Sequence, residues 1–279
     1  MSHFQRWALA LTLPAGALML AFYVYPILQV LGLSFSEPTP GLGNYAELVT
    51  NPAIRRVLWT TVQVTVPTTL ITVTLSYIVA LAMVQMAPGR RRLAMFLVLV
   101  PFWISVLVRA FAWITVLRRR GIVNSTLQDL GLIHKPLALI YNELGVVIGM
   151  VHYMMPFAIL LLYANLSDID QSVIRAARSL GARRWMIFSR VWLPLSLPGL
   201  LVAALFVVIF SFGFLVTPAL LGAGRVLMVA EYISVQISNT LNWGVATALS
   251  TSLLVAVGLL VWLATRHPAL RAALEGGRK

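Results

Sequence analysis

Six apolar runs of helix-spanning length, at about 7–33, 57–86, 93–117, 144–166, 195–221 and 243–265, leave this chain little choice of solvent. About 20 residues at 1.5 Å rise cross the hydrocarbon core of a bilayer. The expected fold class is therefore all-α: a polytopic integral membrane protein with about six transmembrane helices, 1–279 forming a single transmembrane domain. The first run is too long for a signal-peptide core, and no small-residue cleavage site follows it, so it is expected to be retained.

Composition agrees, with 60% hydrophobic residues, 10% charged and a mean hydropathy of +0.90. A net charge of +13 would suggest nucleic acid in a soluble protein. Here the arginines cluster at the ends of apolar runs, which predicts contact with membrane lipid and no nucleic-acid partner. The absence of cysteine excludes disulfides and thiolate metal sites. His3, His134, His152 and His267 are scattered without metal-ligand spacing, and interfacial or packing roles are expected for each.

Between the first two runs, Ser34 to Arg56 reads as an irregular loop with at most one short helix near Tyr45 to Val49. In the second run Thr61, Thr65, Thr68, Thr72 and Ser76 recur at three- and four-residue steps, so they share one helix face. Hydroxyls there either pack against neighbouring helices, the favoured reading, or line a substrate path. Arg109 sits near the middle of the third run, where an unpaired arginine costs roughly 2.5–3.5 kcal/mol. Glu143 and Glu231 are the nominated partners. The fourth run carries Gly145 and Gly149 at the GxxxG spacing that permits close helix approach.

Both termini of a six-span chain lie on one side. That side collects thirteen Lys/Arg against seven on the other, with Arg118 to Arg120 dissenting, and the positive-inside rule assigns it to the cytoplasm. Asp170 to Gly199 then faces the cytoplasm. Asp170 or Ser172 can cap a helix that ends at a left-handed Gly181, and a second helix is expected from Arg183 to Trp192, closed by prolines. The stretch holds five arginines (Arg175, Arg178, Arg183, Arg184, Arg190); on its first helix Val173, Ala176, Ala177 and Leu180 make a small apolar face, while Arg175 and Arg178 project elsewhere. By spacing, docking of a protein partner and contact with anionic lipid are both open.

The segment RAARSLGARRWMIFSRVWLPLSLPG closely resembles the EAA loop of permease subunits in binding-protein-dependent ABC importers. Ala176, Ala177, Gly181, Ala182, Phe188, Leu193, Pro194, Pro198 and Gly199 match that pattern, whereas Arg175 stands where the signature has an acid. Tyr25-Pro26, Ser34-Phe35, Asn44-Tyr45, Arg109 to Trp113, Gly121 with Asn124, and Tyr141 look most like the spermidine/putrescine branch.

The resemblance implies a type I importer permease fold in the bacterial inner membrane. It also implies a second permease subunit, a paralogue of this one, two cytoplasmic ATPase subunits docked on the EAA loops, and a periplasmic substrate-binding protein. Transport would proceed by alternating access, with a polyamine or related organic cation as substrate and ferric iron, thiamine or an opine as alternatives. Arg175, Ala176, Ala177, Gly181, Ala182, Phe188, Leu193, Pro194, Pro198 and Gly199 would couple to the ATPase. Path candidates are Thr65, Thr68, Thr72, Arg109, Trp113, Tyr153 and Glu231. Trp113, Tyr153 and Glu231, with Trp103 and Tyr163, suit a cation, although membrane aromatics more often form belts or packing.

No cofactor is expected in this chain. Its two lysines, Lys135 and Lys279, belong to no GxxxxGK[ST] loop, so ATP and magnesium are assigned to the partner ATPase. Asp168 and Asp170 flank a helix start and suggest no catalytic pair. A scaffold that docks soluble partners without transport is the alternative from another class. A secondary carrier lacks support, because neither an intramembrane acid nor an obvious repeat suggests ion coupling.

Overall fold

A computed structural model describes residues 12–266 of the chain. The start of the first expected span and the basic tail after Arg266 lie outside the described residues. Among the described residues all regular structure is helical. The helices are α1 (Thr12–Ser36), α2 (Gly43–Thr50), α3 (Pro52–Gln85), α4 (Pro88–Leu99), α5 (Val106–Leu117) and α6 (Ile122–Asp129). They continue with α7 (Glu143–Ser167), α8 (Gln171–Ser179), α9 (Arg184–Phe212), α10 (Val216–Gly222), α11 (Val229–Ser238) and α12 (Trp243–Arg266). Five of them are long and apolar enough to cross a membrane, and a sixth crossing requires a bent pair. Helix is the natural answer in lipid, where every backbone N–H and C=O must be satisfied within the segment.

The chain groups into two compact units, one taking the residues up to Arg56 with Tyr232–Ala256, the other Val57–Glu231 with the residues from Val257 on. In the first unit a polar latch closes α1 on α2. Ser34 Oγ and Tyr45 Oη lie 2.7 Å apart, and Asn44 Nδ2 donates to the carbonyls of Ser34 at 3.0 Å and Glu37 at 2.6 Å. Phe35 packs on Tyr45, with centroids 5.0 Å apart. Gly244 is required beside this latch, because a Cβ there would sit 2.5 Å from the Glu37 carbonyl.

The second unit holds two apolar cores. One gathers Val64, Ala110, Met150, Met154, Val207 and Leu221, and the other gathers Tyr77, Leu162, Leu166, Ile174, Ile187 and Trp192. Gly149 lets α7 approach α10 closely: a Cβ there would come 2.7 Å from Thr217 Cγ2 and 2.9 Å from Leu221 Cδ2. At Gly145, the other half of the GxxxG pair, a Cβ would instead come 2.8 Å from the Leu139 carbonyl oxygen. The spacing thus serves one helix contact and one loop contact.

Four segments differ from the sequence expectation. The run at 93–117 is not one straight span: Pro88–Trp103 and Val106–Asp129 meet at a bend of 97°. The helix tightens to a 3₁₀ turn over Val100–Trp103, which contains Pro101, and Ile104 is extended. The fifth run stops at Phe212, before Gly213, and α10 is a separate short helix. Pro194 and Pro198 do not close the segment after Arg183; α9 passes through both. A proline lacks its own N–H and crowds the carbonyl four residues back. A wide π turn over Phe188–Trp192, with the Leu193 N–H bonding the Phe188 carbonyl, accommodates Pro194. The expected loop at 34–56 is shorter, since α1 runs to Ser36 and α3 begins at Pro52.

Candidate functional site

The stretch after α7 is built from its caps. Asp170 Oδ1 accepts from the Ser172 N–H at 2.7 Å, closing the N-terminus of α8. Hydrogen bonds from the Ser172 hydroxyl and then its backbone N–H hold the Asp170 carboxyl below the usual carboxylate range. At the other end the Ala182 N–H reaches the Ala177 carbonyl at 3.1 Å and the Gly181 N–H reaches that of Arg178 at 3.0 Å. This pair of bonds is the Schellman arrangement, and it needs a left-handed residue, supplied by Gly181 at φ +77°. The chain turns there and continues directly into the spanning helix α9.

Burial divides α8 differently from its apolar pattern. Ile174 is buried in the second core and Ala177 packs against it, so these two residues anchor the helix. Val173, Ala176 and Leu180 face outward with Arg175 and Arg178, and Leu180 is 87% exposed. Ala182 and Phe188 also pack on this core, where the Phe188 ring meets Tyr77 edge-on at 6.1 Å. Tyr77 Oη and Ser196 Oγ, 2.8 Å apart, tie α3 to α9 just beyond. Leu193 and Pro194 lie exposed on α9, Pro198 is half-buried, and Gly199 is buried against α7. A Cβ on Gly199 would stand 2.5 Å from Asn165 Cγ.

Beside Gly181 opens a cavity of about 760 Å³, lined by Leu81 and Gln85 of α3, by Arg178, and by Arg184, Phe188 and Trp192 of α9 among others. Sequence reading did not single out Arg178 and Arg184 from the other arginines, nor Asn165 at all. A polar residue near the end of an apolar run was the available signal for Asn165.

Among the path candidates the structure joins three. The Arg109 guanidinium lies over the Tyr153 ring, 4.5 Å from its centroid, and forms no ion pair with Glu143 or Glu231 among the described residues. The pairing expected from sequence is thereby corrected, since the arginine answers its burial with a π face rather than a carboxylate. Phe102, Pro156 and Phe157 complete a cavity of about 70 Å³ around this pair. Trp113 stacks edge-on with His152 at 5.5 Å and packs on the same core as Tyr153.

Thr65, Thr68 and Thr72 lie on α3, only 3%, 0% and 0% exposed, and their hydroxyls have no partner among the described residues. Thr61 Oγ1 accepts from the Val229 N–H at 2.9 Å and so fixes the start of α11, which carries Glu231. Glu231 is 9% exposed and its Oε2 has no partner among the described residues. Burial pushes this carboxyl above its ordinary range. The folded chain then holds the proton more tightly than the unfolded chain. Glu231 therefore contributes stability below the unfolded carboxylate pKa that is lost as pH rises through the folded value. Thermal unfolding in detergent from about pH 4 upward should decline with pH more steeply for the wild type than for Glu231→Gln; parallel curves would show that the carboxylate ionises at no cost.

Residues 72–267 match the family described as binding-protein-dependent transport system inner membrane component. The chain belongs to this family. It is thus an inner-membrane, multi-pass permease of the type I ABC importer class, a transport subunit rather than an enzyme. Such a permease works with an ATPase and a periplasmic binding protein. The permease is 32% identical over 253 residues to the spermidine/putrescine transport system permease protein PotB of Haemophilus influenzae, covering 88% of each chain. It is 29% identical over 268 residues to the PotB of Escherichia coli, covering 92% of this chain and 97% of that one. The trehalose transport system permease protein SugA of Mycobacterium tuberculosis is 33% identical over 220 residues, 72% of this chain and 68% of that one. In fold the permease matches a bacterial alginate ABC transporter solved with an alginate pentasaccharide-bound periplasmic protein. The TM-score is 0.80 at 20% identity, over 94% of this chain and 95% of that one.

Proposed function

We propose that this permease moves a polyamine or related organic cation from periplasm to cytoplasm by alternating access, driven by two ATPase subunits docked on α8 and the turn at Gly181. One observation carries the coupling reading: α8 is anchored through Ile174 and turns at Gly181 into a helix, Arg184–Phe212, that crosses the membrane without a break. A displacement applied to α8 is passed through the turn at Gly181 to the spanning helix α9, which is what a two-state device requires. Both termini lie in the cytoplasm in this reading, and a paralogous permease completes the pathway. ATP and magnesium act on the partner ATPase.

The substrate class rests on the PotB relatives, with the aromatic faces of Trp113 and Tyr153 and the buried carboxylate of Glu231 as the cation-compatible groups. The test is reconstitution of permease pair, ATPase and binding protein in liposomes, following ATP-dependent uptake of labelled spermidine and putrescine. Competition by ferric iron, thiamine, opines or trehalose reads out the alternatives. Assembly without uptake of any of these identifies a scaffold, and uptake without the ATPase identifies a secondary carrier.

The threonine stripe enters the same experiment. Replacing a buried hydroxyl that has no partner by a methyl group of equal shape is nearly neutral for folding. Thr68→Val should leave stability within about 1 kcal/mol of wild type while lowering uptake several-fold, provided α3 opens to the path during transport. Unchanged uptake assigns the stripe to packing.

A further inference from the structure

The outward surface of α8 and the cavity beside Gly181 have one sign of charge. Arg175, Arg178, Arg183, Arg184 and Arg190 are all exposed, and two of them, Arg178 and Arg184, line the cavity. No carboxylate lines it. The two nearby acids, Asp168 and Asp170, stand at the start of α8, and Asp170 is committed to capping Ser172. The cavity's inner wall is apolar, formed by Leu81, Ile187, Phe188 and Trp192.

This combination asks for an occupant that brings carboxylates to the rim and apolar groups to the wall. A membrane surface fits less well. Ile174 and Ala177, the apolar side of α8, are already used by the protein's own core. What remains outside is a narrow stripe of Val173, Ala176 and Leu180 set among Gln171, Ser172, Arg175, Arg178 and Ser179. An in-plane membrane helix needs a broad free apolar face, whereas the nine-residue α8 offers only that stripe, interleaved with arginines.

We propose that the cavity beside Gly181 receives an acidic segment of the partner ATPase, its carboxylate met by Arg178 and Arg184, with Arg175 facing a further acid. The contact is thereby cationic on the permease side, and the permease selects an ATPase whose docking surface is acidic. This rests on the reading of α8 as the ATPase-docking element. Charge complementarity of this kind governs partner choice and salt dependence more than total affinity.

The experiment uses the full-length permease in nanodiscs and the ATPase that co-purifies with it. Wild-type affinity should fall as salt rises, because exposed charge pairs are screened. Arg178→Glu/Arg184→Glu should weaken binding at least tenfold and flatten that salt dependence, with Arg178→Gln/Arg184→Gln intermediate. Equal melting temperatures across the three proteins establish that folding is intact; should the Glu pair fail to fold, the Gln pair and the wild-type salt series carry the test. Unchanged affinity with unchanged salt dependence overturns the proposal. A loss seen only in discs of anionic lipid, and not of neutral lipid, assigns the cavity to lipid and also overturns it. A wild-type permease that binds no ATPase overturns the coupling reading itself.

Discussion

Gly199→Val is expected to destabilise the folded permease by about 2–3 kcal/mol, the upper range for over-packing a close helix contact, and to abolish uptake in proportion. The cause is local. Even a Cβ at this position would stand 2.5 Å from Asn165 Cγ and 2.6 Å from Asn165 Cβ, closer than real contacts allow. Asn165 cannot swing clear, since its own Cβ is part of the obstruction. One of the two helices must therefore move, and both belong to the contact that sets α9 against α7. Gly199→Ala should show a smaller loss of the same kind. Asn165→Gly should relieve it, because it removes all three obstructing atoms, Cβ, Cγ and Oδ1, and gives up no hydrogen bond at Oδ1, which has no partner among the described residues. The relief is offset by roughly 1 kcal/mol for glycine in a helix. Thermal unfolding of the two single variants and the double variant checks this. Additive losses would mean that Asn165 is not what Gly199 accommodates.

That contact also marks how far the sequence could be read. Span-length apolar runs report the solvent, so the helical class and most helix limits follow from residues alone. The turn from Asp170 to Gly181 was legible because its parts obey local rules: Asp170 caps two residues on, and Gly181 meets a left-handed backbone demand that glycine satisfies most cheaply. The role of Gly199 was not legible, since its partner Asn165 lies 34 residues earlier and no periodicity links them. Asn44 and Asn124 were similar. Both appear in the family resemblance, yet only folding reveals Asn44 bridging to α1 and Asn124 binding Leu137 through the N–H, at 2.7 Å, and the carbonyl, at 3.1 Å. The bend near Ile104 was hidden for another reason. A proline in an apolar run signals a kink without its angle, and hydropathy is blind to direction.

Gly181→Trp is expected to lower ATPase association and substrate uptake at least about tenfold while the membrane part still folds. Two effects separate here. A side chain at φ +77° costs roughly 1–2 kcal/mol whatever its size, because a left-handed backbone crowds any Cβ against the following carbonyl. The side chain would start in open space, since a Cβ at Gly181 meets no described atom within 4 Å. The indole would instead project beside the cavity that Gly181 lines, into the space where docking of the partner is proposed. The series Asn, Ala, Trp resolves the two effects. Asn tolerates the left-handed region and should remain near wild type; Ala adds the backbone cost alone and should weaken coupling modestly; Trp adds obstruction. Normal uptake with normal ATPase assembly in Gly181→Trp would remove the turn from the docking surface. A loss in Ala as large as in Trp would locate the requirement in the backbone, making the turn a hinge of the permease rather than a surface its partner touches.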